Sequence, residues 1–257
     1  MKAVILAGGL GTRISEETNV RPKPMVDIGG MPVIWHIMKT YSHFGIHDFV
    51  VLCGYKGHVI KQFFAEYAMR TSSVEVDLSV GTVRLLDKVN EPWKITLVDT
   101  GESTMTGGRI RRAKDYIGDD TFMLTYGDGV SNVDLRTLLQ LHKEDQSLVT
   151  LTAVQPPGRF GALALSENQS KVTQFYEKPE GDGAWINGGY FVVEPEAINY
   201  IDGDHTSWEQ GPLDRIANVG GLSAYKHPGF WQPMDTLRDK HYLESLWSDG
   251  NPPWKVW

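Results

Sequence analysis

Val4-Ile5-Leu6 is a short β-branched and aliphatic run that stops at Gly8-Gly9. A run with no polar alternation reads as a strand buried on both faces, as in parallel sheets. The turn that follows, Leu6-Ala7-Gly8-Gly9-Leu10-Gly11-Thr12-Arg13, is rich in glycine. Without a Cβ in the way, its backbone N–H groups can approach an anion, at the carboxyl end of a strand where open α/β sheets bind ligands. Strand and turn together limit the chain to folds that hold such a loop over a sheet edge.

The rest of the chain repeats the pattern. Pro32 opens a helical stretch in which Val33, Ile34, Ile37, Met38, Tyr41 and Phe44 recur at three- and four-residue spacing, with Gly45 placed to end it. Runs 49–52, 95–98 and 122–125 read as further buried strands, and 59–67 and 109–116 as helices between them. The alternation predicts a parallel or mixed sheet with helices on both faces. Val74 to Leu86 reads as a β-hairpin on a half-exposed sheet. Beyond Asp128 comes a helix at 135–142, then strands at 148–154, 162–165, 172–176 and 186–193, expected as antiparallel additions to the same sheet. With no linker rich in Gly, Ser or Pro, the expectation is one domain, 1–257, made of an alternating part at 1–130, a strand-rich part at 131–240 and a helix end and tail at 241–257. Trp254 and Trp257 follow Pro252-Pro253 and need a covering surface, either on their own chain or on a neighbouring subunit of a homo-oligomer.

Charge and cysteine content narrow the partners. Lys and Arg number 25 against 32 Asp and Glu, a formal charge of −7, with no basic stripe, so nucleic acid and anionic membrane are excluded as partners. The one cysteine, Cys53, forms neither an intrachain disulfide nor a thiolate cluster. Residues 3–7 are too few for a signal-peptide core, and no apolar stretch reaches the ~18 residues of a membrane span, so a cytoplasmic protein is expected.

Three anion-binding motifs compete for the glycine turn. A P-loop ending in Gly-Lys-Ser/Thr is absent, and a dinucleotide fingerprint fails because Ile14 stands at its third small position and a loop with two prolines follows. What remains is a turn containing Arg13, with Lys23 on a stiff segment between Pro22 and Pro24. Two cations and a row of N–H groups suit a triphosphate; the plainer reading is a tight turn with solvated charges. Asp128, between glycines after a buried strand, is either a turn residue or a metal ligand, with Asp235 the natural second carboxylate for Mg²⁺. Scattered histidines argue against zinc, and Ser79, Ser131 and Ser207 lack a nucleophile-elbow pattern.

Gly8-Gly9-Leu10-Gly11-Thr12-Arg13 with Pro22-Lys23-Pro24 resembles the signature of the sugar-phosphate nucleotidyltransferases. The likeness continues through Tyr126-Gly127-Asp128-Gly129, Phe160-Gly161, Glu177-Lys178-Pro179, Asn187-Gly188-Gly189-Tyr190 and Asp235. It implies a Rossmann-like mixed, mostly parallel sheet, with a nucleotide-binding half at 1–130 and a sugar-binding half at 131–240. By the same resemblance, Arg13, Lys23 and Lys178 would be catalytic, and Leu6, Ala7, Gly8, Gly9, Leu10, Gly11, Thr12, Thr104, Gly108, Arg109, Gly127 and Asp128 would bind the nucleotide. Phe160, Gly161, Glu177, Lys178, Asn187 and Gly188 would line the sugar pocket, and Asp128 and Asp235 would share Mg²⁺. Stretches 16–64, 99–101 and 107–109 look most like members that join CTP and glucose 1-phosphate into CDP-glucose for surface polysaccharide; a uridylyl or thymidylyl transferase is the alternative. Thr104, Thr106 and Arg109 are the candidates for reading cytosine. Many relatives have tyrosine where Phe160 stands, and those using UTP or dTTP have Gln near Thr104.

Overall fold

Seven of the apolar runs assemble into one sheet, in the order Leu222–Lys226, Val149–Val154, Ile186–Val193, Phe122–Tyr126, Lys2–Ala7, Asp48–Cys53, Lys94–Asp99. The structure is a computed structural model that describes residues 1–87, 91–156, 162–165, 172–176 and 184–257. Lys2–Ala7 lies centrally, parallel to both neighbours, with Val4 opposite Val50 on one side and Leu124 on the other. Its continuous hydrophobicity follows from that position. Ile5 and Ala7 face a core with Ile34, Met38 and Phe49, while Val4 and Leu6 face a second core with Ile110, Phe191 and Trp208. Burying both faces removes the polar alternation a half-exposed strand would show.

Only Ile186–Val193 runs against its neighbours, pairing antiparallel with both Phe122–Tyr126 and Val149–Val154. Of the four strands expected as antiparallel additions to this sheet it is the one that is so, which corrects the expectation for the other three. Val149–Val154 and Leu222–Lys226 pair parallel to each other, and Ala162–Leu165 with Val172–Tyr176 form a separate two-stranded ribbon. The helix after Pro32 spans Val33–His43, and Gly45, at φ +82°, turns the chain out of it.

The hairpin expectation also needs correction. The hairpin Val74–Asp77 with Thr82–Leu85 lies on no larger sheet: its strands pair only with each other, and Val76, Leu78, Val80, Val83, Leu85 and Leu86 are exposed. Alternation there records a two-sided ribbon, one face with Val74, Val76, Val83 and Leu85, the other with the Glu75–Arg84 ion pair. Of the two covers open to the C-terminal tail, its own chain serves. Trp254 is 0% exposed, stacked between Phe230 and Trp247 and close to His36, and Trp257 meets Trp35 edge-on. Among the described residues no helix is long and apolar enough to cross a membrane.

Candidate active site

The carboxyl ends of Lys2–Ala7, Asp48–Cys53, Lys94–Asp99 and Phe122–Tyr126 share one edge of the sheet, and the loops leaving them build the site. Gly11 has φ +65°, and a Cβ there would lie 2.7 Å from Thr18 Cγ2. Its carbonyl accepts from the Ile14 N–H at 3.1 Å and the Thr18 hydroxyl at 3.0 Å, closing the turn that carries Arg13. Thr18, which nothing in the sequence pattern marks, is thus the buried anchor of that turn.

Gly8 lacks a side chain for another reason. A Cβ on Gly8 would lie 2.2 Å from the Arg109 guanidinium carbon, and one on Gly54 2.2 Å from Arg109 Nη1. Arg109, on the helix Thr106–Arg112, is 4% exposed. Its Nη2 donates to Gly8 O (3.0 Å) and Glu102 O (3.1 Å), and its Nη1 to Gly101 O (2.6 Å), Thr100 Oγ1 (2.8 Å) and Cys53 O (3.4 Å). Burial, with the nearby Arg112 charge, holds its pKa below the usual arginine value. Both Nη atoms are therefore engaged by three segments of the protein, and Arg109 positions the glycine turn. At Gly108 a Cβ would strike the Asp204 backbone at 2.5 Å, so close helix–loop packing requires a glycine there. Thr104 is buried beside the Gly101 turn, at the same end.

At the other end lie the charges. Asp128 and Asp235, 107 residues apart in sequence, meet because Gly129–Ser131 pairs antiparallel with Trp231–Pro233, and the Met234 N–H donates to Asp128 O at 2.8 Å. Asp235 then stands just before Thr236, the N-cap of helix Leu237–Ser248, whose capping box with Asp239 also receives the Asp235 N–H at 3.1 Å. Gly127 lets this turn sit on the first strand, where a Cβ would lie 2.9 Å from Leu6 O. Lys23, in the turn Lys23–Met25, donates from Nζ to Asp128 Oδ2 at 2.7 Å and to Asp235 Oδ1. Arg13 Nη1 donates to Asp235 Oδ2 at 2.8 Å. Burial disfavours the Lys23 ammonium, but attraction to Asp128 and hydrogen bonds to both carboxylates outweigh it and raise its pKa. Two carboxylates converging on one cation have the donor set Mg²⁺ takes from protein, with phosphate and water completing the shell.

On the sugar side, Phe160, Gly161, Glu177 and Lys178 lie outside the described residues. Asn187 and Gly188 fall on the Ile186–Val193 strand next to Tyr126. Asn187 Nδ2 donates to the Tyr126 hydroxyl (3.2 Å), which donates to Glu209 Oε1 (2.6 Å), while Thr106 Oγ1 donates to Glu209 Oε2 (2.7 Å). Burial and the Glu209 charge push the Tyr126 phenol well above its ordinary pKa, so it remains a donor. Sequence reasoning missed Glu209, which sits in Trp208-Glu209-Gln210-Gly211 with no anion-binding or metal-ligand spacing to mark it.

Residues 2–216 match the nucleotidyl transferase family. Over its whole length the chain is 57% identical to the glucose-1-phosphate cytidylyltransferase of Salmonella typhi, with 100% of both chains covered. Identity to the probable glucose-1-phosphate cytidylyltransferase of Bacillus subtilis (strain 168) is 45%, again over 100% of both. Among solved structures, HddC from Yersinia pseudotuberculosis has the same fold, at a TM-score of 0.68 and 24% identity, covering 96% of this chain and 99% of that one. With the glycine turn, the paired carboxylates and these matches in agreement, the chain belongs to the nucleotidyl transferase family.

Proposed function

We propose that the chain transfers the cytidylyl group of CTP to α-D-glucose 1-phosphate, releasing pyrophosphate and forming CDP-glucose for surface-polysaccharide sugars in the cytoplasm. The observation that carries this reading is the 57% end-to-end identity to a glucose-1-phosphate cytidylyltransferase; the convergence of Arg13, Lys23, Asp128 and Asp235 beside the glycine turn agrees with it. A phosphate oxygen of the sugar 1-phosphate attacks the α-phosphorus as the bond to pyrophosphate breaks. That oxygen is already ionised at neutral pH, so no side-chain base is needed, and catalysis rests on positioning and charge neutralisation. Arg13 and the N–H groups of the glycine turn hold the β- and γ-phosphates, Lys23 stabilises charge at the α-phosphorus, and Lys178 orients the sugar phosphate with Phe160, Gly161, Glu177, Asn187 and Gly188 around the ring. Asp128 and Asp235 would hold Mg²⁺, which when bound neutralises triphosphate charge. Pyrophosphate release across a grid of nucleoside triphosphates and sugar 1-phosphates tests the reading. CTP with glucose 1-phosphate is expected to be the best pair; a preference for UTP or dTTP overturns the nucleobase while leaving the reaction.

The enzyme also works as a homo-oligomer in this reading. With the tail covered by its own chain, the contact falls to the Val74–Asp77/Thr82–Leu85 ribbon. Leu78 is 89% exposed and Val80 68%, with Val76, Val83, Leu85 and Leu86 exposed beside them, an apolar patch of the kind that marks an interaction surface, so a second copy of the chain is its proposed occupant. Sedimentation of the Leu78→Ser/Val80→Ser double variant is expected to show a smaller species than the parent; an unchanged assembly, or a monomeric parent, removes the ribbon from this role.

A further inference from the structure

Among the described residues the charges at the metal-facing end of the site are already balanced. Asp128 and Asp235 bring two negative charges, and Lys23 and Arg13 bring two positive ones, with both oxygens of Asp235 engaged. The Lys23 side chain is 11% exposed and that of Asp235 24%, so solvent screens their pairing far less than it screens a surface ion pair. A divalent ion arriving alone must take carboxylate oxygens from the Lys23 ammonium and leave that ammonium buried without a counter-charge, which is costly. A triphosphate removes this obstacle, because it offers the displaced ammonium new anionic oxygens.

The local backbone suits such an exchange. Lys23 stands between Pro22, at φ −68°, and Pro24, in a turn closed by the Met25 N–H to Pro22 O at 2.8 Å. Fixed φ on both sides keeps the main chain still, so the swap falls to the four-carbon side chain, whose compact ammonium adapts to either set of oxygens.

We propose that Lys23 is an internal placeholder cation: it occupies the shared carboxylates of Asp128 and Asp235 against free divalent metal and surrenders them when a nucleoside triphosphate arrives, so that metal and nucleotide bind as a coupled pair. The proposal rests on the reading above that these two carboxylates hold the metal. Coupling of this kind is reciprocal: nucleotide must tighten metal by the same factor by which metal tightens nucleotide.

Mn²⁺ binding, followed by loss of the free-ion electron paramagnetic resonance signal without sugar phosphate and with the Mn²⁺–CTP complex of protein-free solution subtracted, tests it without turnover. In the parent protein, Mn²⁺ alone is expected to bind at least tenfold more weakly than in the presence of CTP. In Lys23→Met, which keeps the aliphatic stem, Mn²⁺ alone is expected to bind at least tenfold more tightly than in the parent, with the CTP-linked factor falling toward one. Lys23→Arg, which keeps the charge, retains weak metal binding. Equal Mn²⁺ affinity with and without CTP in the parent overturns the placeholder and requires no variant. If Lys23→Met binds Mn²⁺ no better than the parent, while Asp128→Asn in the same background weakens it, the placeholder falls and the metal site stands. If Asp128→Asn and Asp235→Asn both leave Mn²⁺ binding unchanged, the metal assignment falls, and the placeholder with it.

Discussion

Lys23 and Arg109 are buried cations at opposite ends of one site, and the fold compensates them in opposite ways. Lys23 rests on two carboxylates, whereas Arg109 rests on four backbone carbonyls and the Thr100 hydroxyl, with no carboxylate among its hydrogen-bond partners. A cation held by ionised groups can exchange them for another anion, which makes the Lys23 end chemically responsive. One held by carbonyls of three separate loops has no equivalent exchange, because releasing them leaves buried acceptors unpaired. The phosphate end is therefore read as machinery and the Arg109 end as its frame.

The largest expected effect separates the two. Asp128→Ala should lower kcat by on the order of 10³-fold, and Lys23→Ala by on the order of 10²-fold, with a smaller drop in melting temperature than Arg109→Met gives. Pyrophosphate release alongside thermal melts checks this; near-parental turnover in either variant removes that residue from the chemistry. Arg109→Met should do the reverse. It takes the donor from the Gly101 and Glu102 carbonyls, while Gly8 O and Cys53 O keep the Tyr55 and Thr100 N–H groups, and it leaves a poorly filled space, costing about 3–5 kcal/mol of stability; in protein kept folded at low temperature it should raise the KM for CTP more than it lowers kcat. Arg109→Lys should recover little, since one ammonium cannot reach acceptors spread over three loops. A stable Arg109→Met protein that loses only kcat would break the comparison.

Much of the phosphate end was legible because local sequence encodes it. The buried strand, the glycine turn with Arg13 and the proline-flanked Lys23 are short-range patterns with direct backbone consequences. Residues that act across the chain were not. Asp128 and Asp235 meet through the pairing of Gly129–Ser131 with Trp231–Pro233, three residues on each side, too short to leave a periodic trace. Arg109 was marked as a candidate reader of cytosine, but its hold on the glycine turn was not legible, because helical spacing says nothing of the loops above it. Gly8 was legible as a glycine that must stay small, but the occupant of its missing Cβ is a side chain 101 residues away. The ribbon at 74–85 was visible as a hairpin, while its detachment from the sheet was not, since alternation is the same for any two-faced strand.

A third buried base resolves its charge by losing it. His36 is fully buried under the tail, with Nε2 2.8 Å from Ile28 O and Trp254 Nε1 donating toward Nδ1 at 3.4 Å, the pattern of a neutral ring. Burial lowers its pKa to about 4 from the ordinary 6.5. Between those values the unfolded chain binds the proton and the folded one does not, so stability falls as pH drops from about 6.5 toward 4 and the loss levels off below. The span corresponds to about 3 kcal/mol. Urea unfolding of the parent and His36→Gln at pH 7 and pH 4.5 reads the difference. The variant should lose less stability over that interval; equal losses would mean that His36 is already charged under the tail.

The smallest effect on stability belongs to Arg13, the cation that shares Asp235 with Lys23. Its side chain is 76% exposed, so water screens the bond to Asp235, and ordering a long side chain offsets much of what remains. Arg13→Ala should therefore change stability by less than about 1 kcal/mol, against several for Arg109→Met. Its functional effect should nevertheless be clear, as a raised KM for CTP, because a bound triphosphate excludes water from the same guanidinium and strengthens every interaction it makes. If Arg13→Ala instead lowered the melting temperature as much as Arg109→Met, the exposed cation would belong to the frame, and the division of the site into exchangeable and fixed charges would have to be redrawn between Lys23 and Arg13.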